Sequence, residues 1–188
     1  LLYRLPSFFG RLAAVFILAF MFAGTSNAGL VRITDPTTGR LTGATGVEVV
    51  GYGVYDVAFR GGTCIDLFSG CNENGDFVFT TQAGAQAASE ALLSSVFLDV
   101  AEGNFGSDPA PCDSWLKLCV TFTPYALDSA STPNTTFVNN WAALNFFDGT
   151  GWTDGSYNFD PLSTVDDLYK YAVWTKASTV PEPSSLAL

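Results

Sequence analysis

The cysteine pattern constrains the fold of this 188-residue chain more than any other feature. Cys64 and Cys71 are separated by six residues, and so are Cys112 and Cys119. Four cysteines allow three disulfide connectivities, and the matched local spacing favours Cys64–Cys71 together with Cys112–Cys119. Zinc binding is the alternative, but zinc ligands usually come in pairs about two to four residues apart. We therefore predict two structural disulfides, each closing a short loop beside a strand.

Residues 1–28 have the order of features of a secretory signal peptide. Arg4 and Arg11 precede a run of twelve apolar residues, and small residues lead up to Ala28. This order predicts export and cleavage by signal peptidase after Ala28, so that the mature chain begins at Gly29. A membrane anchor is the alternative, but twelve apolar residues fall short of the roughly 20 that span a bilayer. Export would place the cysteines in an oxidising compartment, where disulfides form.

The last nine residues form a second targeting feature. They run Val-Pro-Glu-Pro-Ser-Ser-Leu-Ala-Leu, a stiff proline-containing segment followed by the start of an apolar run. This end resembles the PEP-CTERM sorting signal of Gram-negative bacteria, in which a Pro-Glu-Pro motif precedes a transmembrane helix and an Arg-rich cluster. The resemblance implies that Pro181, Glu182 and Pro183 are the sorting motif and that an exosortase processes the tail. It also implies export to the cell surface or the extracellular matrix of exopolysaccharide-producing, biofilm-forming bacteria.

The resemblance covers one end of the chain and implies no particular activity for the body. The chain ends at Leu188, before the helix and the Arg-rich cluster of that class. Residues 178–188 are therefore expected to be a linker and the start of a truncated signal, with membrane contact only transient, through the missing helix. A disordered Pro/Ser tail, common in secreted chains, is the alternative.

Charge and composition exclude several classes of function. The chain has 18 acidic residues, eight basic residues and no histidine, for a net charge of −10. Both leader arginines would be lost on cleavage, so the remaining 160 residues would carry a net charge of −12. Nucleic-acid binding is excluded because phosphate backbones require clustered Lys and Arg. The lack of histidine excludes His-based triads and nearly all His-ligated zinc or haem sites.

The body is predicted to be a single α+β domain over residues 46–177, after an irregular lead-in over residues 29–45. A hairpin is expected around Gly51-Tyr52-Gly53, with Tyr55, Val57 and Phe59 on one face of its second strand. Further strands are predicted at 77–79, 118–123 (ended by Pro124), 136–147 and 168–176, and a hairpin turn at 72–76. The one clear helix begins at Thr80 or Thr81, ends near Leu98 and carries an apolar stripe. These segments predict a mainly antiparallel β-sheet packed with one main helix and cross-linked by disulfides.

An acidic, Gly-rich stretch is the candidate metal site. Asp148, Asp154 and Asp160 recur every six residues, and the first two precede glycine. Carboxylates on such loops can bind Ca²⁺, which takes six to eight oxygen ligands. Asp-Gly is also a common turn signal that needs no ion, so both interpretations stay open, and no other cofactor is expected.

Two aromatic residues that are candidates for exposure, and the possibility of paired carboxylates, give two further hypotheses. Trp152 and Tyr157 lie within the acidic Gly-rich stretch and are the candidates for stacking on sugar rings, although large aromatics usually pack in cores. A carboxylate-pair glycan hydrolase would need two suitably separated acids, but no motif marks such a pair. We therefore expect a non-enzymatic exported protein, with a Ca²⁺- or glycan-binding extracellular module as the alternative and a hydrolase as a weaker third reading. Exopolysaccharide is the expected extracellular partner.

Overall fold

The computed structural model describes residues 29–108, 112, 118–128, 138–146, 151–158 and 168–178. The predicted signal peptide (1–28) and the sorting motif at Pro181, Glu182 and Pro183 lie outside the described residues. The described part shows an α+β fold, as the sequence predicts: an antiparallel-rich sheet, one main helix and two disulfides.

Strands and helices alternate unevenly along the chain. The strands within the described residues are β1 (Val31–Thr34), β2 (Leu41–Val49), β3 (Gly53–Arg60), β4 (Asp99–Val100), β5 (Gly103–Asn104), β6 (Leu118–Leu127), β7 (Val138–Phe146), β8 (Gly151–Asn158) and β9 (Tyr169–Lys176). The helices there are the short α1 (Cys64–Leu67) and the main α2 (Gln82–Ala91), which continues as a π-helical turn (Leu92–Val96), and a 3₁₀ turn forms at Asn74–Asp76. None of the described helices is long and apolar enough to cross a bilayer.

Seven strands form one sheet in the order β1-β2-β3-β9-β6-β7-β8, within the part of the chain that is described. All neighbouring strands are antiparallel except β9 and β6, which pair in parallel. The predicted hairpin is confirmed as β2 and β3. The short strands β4 and β5 pair with each other in a separate hairpin.

Each face of the sheet is covered by a different segment. Helix α2 and its π-helical turn pack on one face, where Tyr55, Val57 and Phe59 are buried as predicted. The other face is covered by the segment that contains α1 and the Cys64–Cys71 disulfide, with Tyr171 fully buried between them. The sheet therefore has two apolar faces over its central strands, which is how a domain of this size buries so many aromatic side chains.

Helix α2 follows the prediction closely. The side-chain oxygen of Thr81 accepts a hydrogen bond from the N–H of Gly84 at 3.2 Å and caps the first turn. The predicted apolar stripe is fully buried at Ala85, Ala88, Leu92 and Val96. Small alanines let the helix lie close to the sheet, which is the reason that this stripe serves as core.

The prediction of an irregular lead-in over residues 29–45 was wrong. Residues 31–34 form β1, and Leu41 begins β2 with its side chain fully buried. Arg32 fixes β1 to the helical layer, because its guanidinium donates to the carbonyls of Ser95 and Val96 at the end of the π-helical turn. The last carbonyls of a helix lack a hydrogen-bond partner within it, and Arg32 supplies donors to them. Its positive charge also interacts favourably with the negative end of the helix dipole.

Two glycines explain why β2 is hard to identify from sequence. A Cβ on Gly43 would lie 2.5 Å from the carbonyl oxygen of Val57, so β2 and β3 approach each other too closely for any side chain there. Gly46 has φ +71° at a β-bulge, and its N–H donates to Asp56 Oδ1 at 3.0 Å. These backbone requirements interrupt the alternation that otherwise marks a strand.

Three shorter predictions were also wrong. Residues 77–79 form no strand, because Phe77 packs on one face of the sheet and Phe79 on the other, so the chain crosses between faces here. Pro124 does not end β6: it lies beside a bulge, where a missing N–H costs little. The predicted hairpin turn at 72–76 is instead a 3₁₀ turn capped reciprocally by Glu73 and Asp76.

Candidate functional site

Trp152 is the best-defined candidate for contact with a ligand. It lies in β8, an edge strand, and 60% of its side chain is exposed. Its ring centroid is 4.7 Å from that of Phe146 in the neighbouring strand β7. A single exposed apolar side chain is ordinary on a protein surface, whereas one that continues into a patch of apolar neighbours marks a candidate contact surface.

Strand pairing places three more apolar residues on the same face. Trp152 pairs with Leu144, and Leu118 of β6 pairs with Phe146. These residues form a patch on the face opposite α2, which we call the aromatic corner (Leu118, Leu144, Phe146 and Trp152). Its four side chains carry no charge, so the aromatic corner offers a ligand an apolar surface and no ionic contact of its own.

The acidic Gly-rich stretch is not a loop over residues 151–158. It forms β8, and Asp154 and Gly155 together lie opposite Ala142 where the β7–β8 register shifts. Asp154-Gly155 is therefore a β-bulge rather than a turn, since two residues on one strand face one on its partner. Tyr157 lies in the same strand, paired in register with Asn140, while Asp148 and Asp160 lie outside the described residues.

Among the residues described, no three Asp, Glu or Cys side chains come together in a group that could hold a metal ion. All four cysteines are paired, Cys64 with Cys71 and Cys112 with Cys119, with Cα–Cα distances of 5.6 and 5.2 Å. Both disulfide predictions are confirmed. Because the sulfurs are bonded to each other, no thiolate is left for the zinc alternative.

Several of the described carboxylates hold backbone turns. Asp35 Oδ1 accepts hydrogen bonds from the N–H groups of Thr37 and Thr38, both at 2.8 Å. The donors, Thr38 and then Thr37, hold the pKa of Asp35 below its ordinary value of 3.8. Asp99 behaves alike: Ser107 and then Gly106 donate to it and lower the pKa of its carboxyl.

This use of aspartate accounts for part of the acidic composition. Asp56 and Asp76 also accept from backbone N–H groups, those of Gly46 and Asn72. A carboxylate that accepts backbone N–H groups in this way stabilises the local backbone. The lowered pKa values of Asp35 and Asp99 make these two carboxyls poorly suited to act as general acids, which must hold a proton near neutral pH.

Sequence reasoning missed a cavity of about 370 Å³ at the outer edge of β2. Its lining includes Leu30, Val47, Val50 and Val54, with Glu48 and Ser94 as polar members. It exists because β1 stops pairing with β2 at Thr45, which leaves the rest of that edge uncovered. No sequence signal could have located it, since the register of β1 decides where the edge opens.

Comparison of the chain with protein-family models, with curated proteins and with solved structures finds no match.

Proposed function

We propose that this chain is a non-enzymatic exported protein, sorted to the cell envelope or the extracellular polysaccharide matrix of a Gram-negative bacterium. The observation that carries the proposal is the pair of disulfides, which indicate an oxidising compartment outside the cytoplasm. The leader over residues 1–28 supports export across the inner membrane, and the Pro-Glu-Pro tail supports sorting after export. Signal peptidase and an exosortase are then the partners during export.

The chemistry of the chain supports a role without catalysis. The sequence has no histidine, the commonest general base near neutral pH. Described carboxylates such as Asp35 and Asp99 are committed to turns. After leader removal, a net charge of −12 keeps such a domain soluble and repels anionic polymers unless divalent ions intervene.

Fractionation of the native host tests sorting. The wild-type protein is expected at the cell surface or in the matrix, in a processed form. Replacement of Pro181, Glu182 and Pro183 by alanine is expected to leave an unprocessed form in the membrane fraction. The matched control, alanine at Ser184 and Ser185, should behave as wild type. A wild-type protein found only in the cytoplasm would refute the proposal.

Glycan binding is a second candidate function, and the exposure of Trp152 favours it. An indole face stacks on the apolar face of a sugar ring, and the four side chains of the aromatic corner are themselves uncharged. The Ca²⁺ hypothesis rests on Asp148, Asp154 and Asp160 and has no support in the described geometry.

Calorimetry with exopolysaccharide purified from the host tests this second candidate. Trp152→Ala is expected to weaken binding about tenfold, which corresponds to a loss of about 1.4 kcal/mol of ring contact. Trp152→Phe should retain most of the affinity. Tyr52→Ala, which removes another exposed aromatic far from β8, is the control. Equal affinities for the wild type and Trp152→Ala would reject glycan stacking, and a parallel titration with Ca²⁺ alone tests the metal.

A further inference from the structure

Both ends of the described domain leave the fold at the same place. Gly29 and Leu30 line the cavity at the edge of β2 together with Val50 and Val54. At the other end of the chain, the N–H of Ala177 donates to the carbonyl oxygen of Val54 at 3.1 Å. We call this region the termini pole, defined by Gly29, Leu30, the turn Val50–Tyr52, the start of β3 (Gly53 and Val54) and Ala177.

The opposite end of the same strands carries a comparable turn. Strand β2 runs from Leu41 to Val49, so the turn at Asp35–Gly39 lies at its other end, about 30 Å from the termini pole at roughly 3.3 Å per residue. That distal turn is closed by hydrogen bonds between Asp35 and the N–H groups of Thr37, Thr38 and Gly39. The two turns are similar in length and lie at opposite ends of β2.

From these positions we propose that the termini pole faces the bilayer while the precursor is still attached by its tail. The proposal rests on the proposed sorting function. Three residues lie between Ala177 and Pro181, a stretch that spans at most about 14 Å of extended chain. Eight residues lie between Ala177 and Leu186, where the apolar run begins, so the bilayer surface is expected within about 30 Å of Ala177.

The surface of the termini pole fits this orientation. Val50 is 81% exposed and Tyr52 is 41% exposed in a turn of only three residues. Tyrosine is enriched at membrane interfaces because its ring is apolar and its hydroxyl is polar. Exposed Glu48 lies beside them, and the residues that define the termini pole carry no basic side chain, so we expect the tail to supply the attachment and the turn to supply a close, weak contact.

The experiment inserts the same small folded domain into either turn of the full-length precursor in its native host. One insertion lies between Gly51 and Tyr52 and the other between Thr37 and Thr38. A domain of about 100 residues has a radius of gyration near 13 Å, so it is roughly 30 Å across and fills the gap beneath the termini pole. Conversion of the precursor to the processed form is followed by pulse-chase labelling.

The insertion at Gly51–Tyr52 is expected to slow processing at least about tenfold, because the tail can no longer reach its site. The insertion at Thr37–Thr38 should leave processing at the wild-type rate. A Gly/Ser linker of 30 residues after Ser178, which extends the reach by about 30 Å, is expected to restore processing of the first variant.

Each other outcome overturns the inference. Equal processing rates of the two insertion variants would show that the termini pole does not face the bilayer more closely than the distal turn does. A slow first variant that the linker does not rescue shows damage to the fold instead of obstruction. If the wild-type precursor itself is never processed at its tail, the proposed function fails, and the orientation fails with it.

Discussion

Replacement of Trp174 by alanine is expected to lower the free energy of unfolding by about 3–5 kcal/mol, the usual range for a large aromatic residue removed from a core. Trp174 is 4% exposed at the centre of the sheet, on the face that α2 covers. Its ring lies 5.7 Å from that of Phe79 and 6.3 Å from that of Tyr55, both edge-to-face. Truncation therefore leaves a cavity among residues that cannot collapse into it.

The indole N–H of Trp174 adds a polar contribution. It donates to Thr123 Oγ1 at 3.2 Å, and the hydroxyl of Ser89 on α2 lies 3.2 Å from the same oxygen and from the carbonyl oxygen of Trp141. This buried cluster joins α2 to strands β6, β7 and β9. Trp174→Phe keeps most of the ring but removes the donor, so we expect a smaller loss of about 1–2 kcal/mol.

Trp152→Ala is the matched control, because the same substitution is made at an exposed ring. Its expected cost is below about 1 kcal/mol, since a surface substitution removes little buried area. Urea unfolding followed by far-UV circular dichroism measures all three variants without relying on tryptophan fluorescence. Similar losses for Trp174→Ala and Trp152→Ala would contradict the assignment of Trp174 to the core.

The elements predicted correctly are those whose signal is local. Helix α2 has a capping threonine and an apolar stripe at helical spacing, so its position depends on few distant contacts. The β2–β3 hairpin has Gly51 in its turn and Gly53 at the start of its second strand, and that strand alternates cleanly at Tyr55, Val57 and Phe59. The two disulfides were also predicted from a local signal. With only six residues between them, the two cysteines of each pair can meet by closing one short loop.

The elements predicted wrongly are those fixed by distant partners. Strand β1 is held by Arg32, whose hydrogen-bond acceptors are about 60 residues away along the chain. The role of Gly43 depends on the backbone of Val57, which no local pattern shows. Pro124 and the segment at 77–79 were misjudged for the same reason: bulges and crossings between faces arise from the packing of the whole sheet.

The candidate site shows the same division. Trp152 was correctly singled out for exposure, because a large aromatic among Gly and Asp has few apolar neighbours in sequence. Its setting was predicted as a loop, whereas it lies in a strand beside Phe146. Pairing with β7 turns the Asp154-Gly155 signal from a turn into a bulge, and this pairing is not visible in the sequence of β8 alone.

Loss of either disulfide is expected to destabilise the domain by about 2.5 kcal/mol, the chain-entropy value for a closed loop of about eight residues. The two loops have the same sequence separation of seven, so the model predicts equal losses. The paired variants are Cys64→Ala with Cys71→Ala, and Cys112→Ala with Cys119→Ala. Alanine avoids placing an unsatisfied hydroxyl in sites where all four cysteines are buried.

Removal of both disulfides is expected to cost about 5 kcal/mol, which approaches the whole stability of an ordinary domain. The fully substituted chain should then be largely unfolded at 37 °C, whereas each single removal should leave a folded domain. Urea unfolding of the four proteins measures this. A fully substituted variant as stable as the wild type would show that the cross-links are not structural.

The loop closed by Cys64–Cys71 is expected to open locally when its disulfide is removed, unlike the loop closed by Cys112–Cys119. Ser69 and Cys71 have φ +44° and +51°, a left-handed backbone that costs a residue with a side chain roughly 1–2 kcal/mol. Without the Cys64–Cys71 bond, relaxation of that backbone opposes the packing of Phe68 against Phe77 and Tyr171. Local opening is therefore expected within residues 64–71, seen as faster proteolysis there than in the variant lacking Cys112–Cys119. Equal protection of that segment in both variants would mean that aromatic packing, and not the disulfide, holds the loop on the sheet.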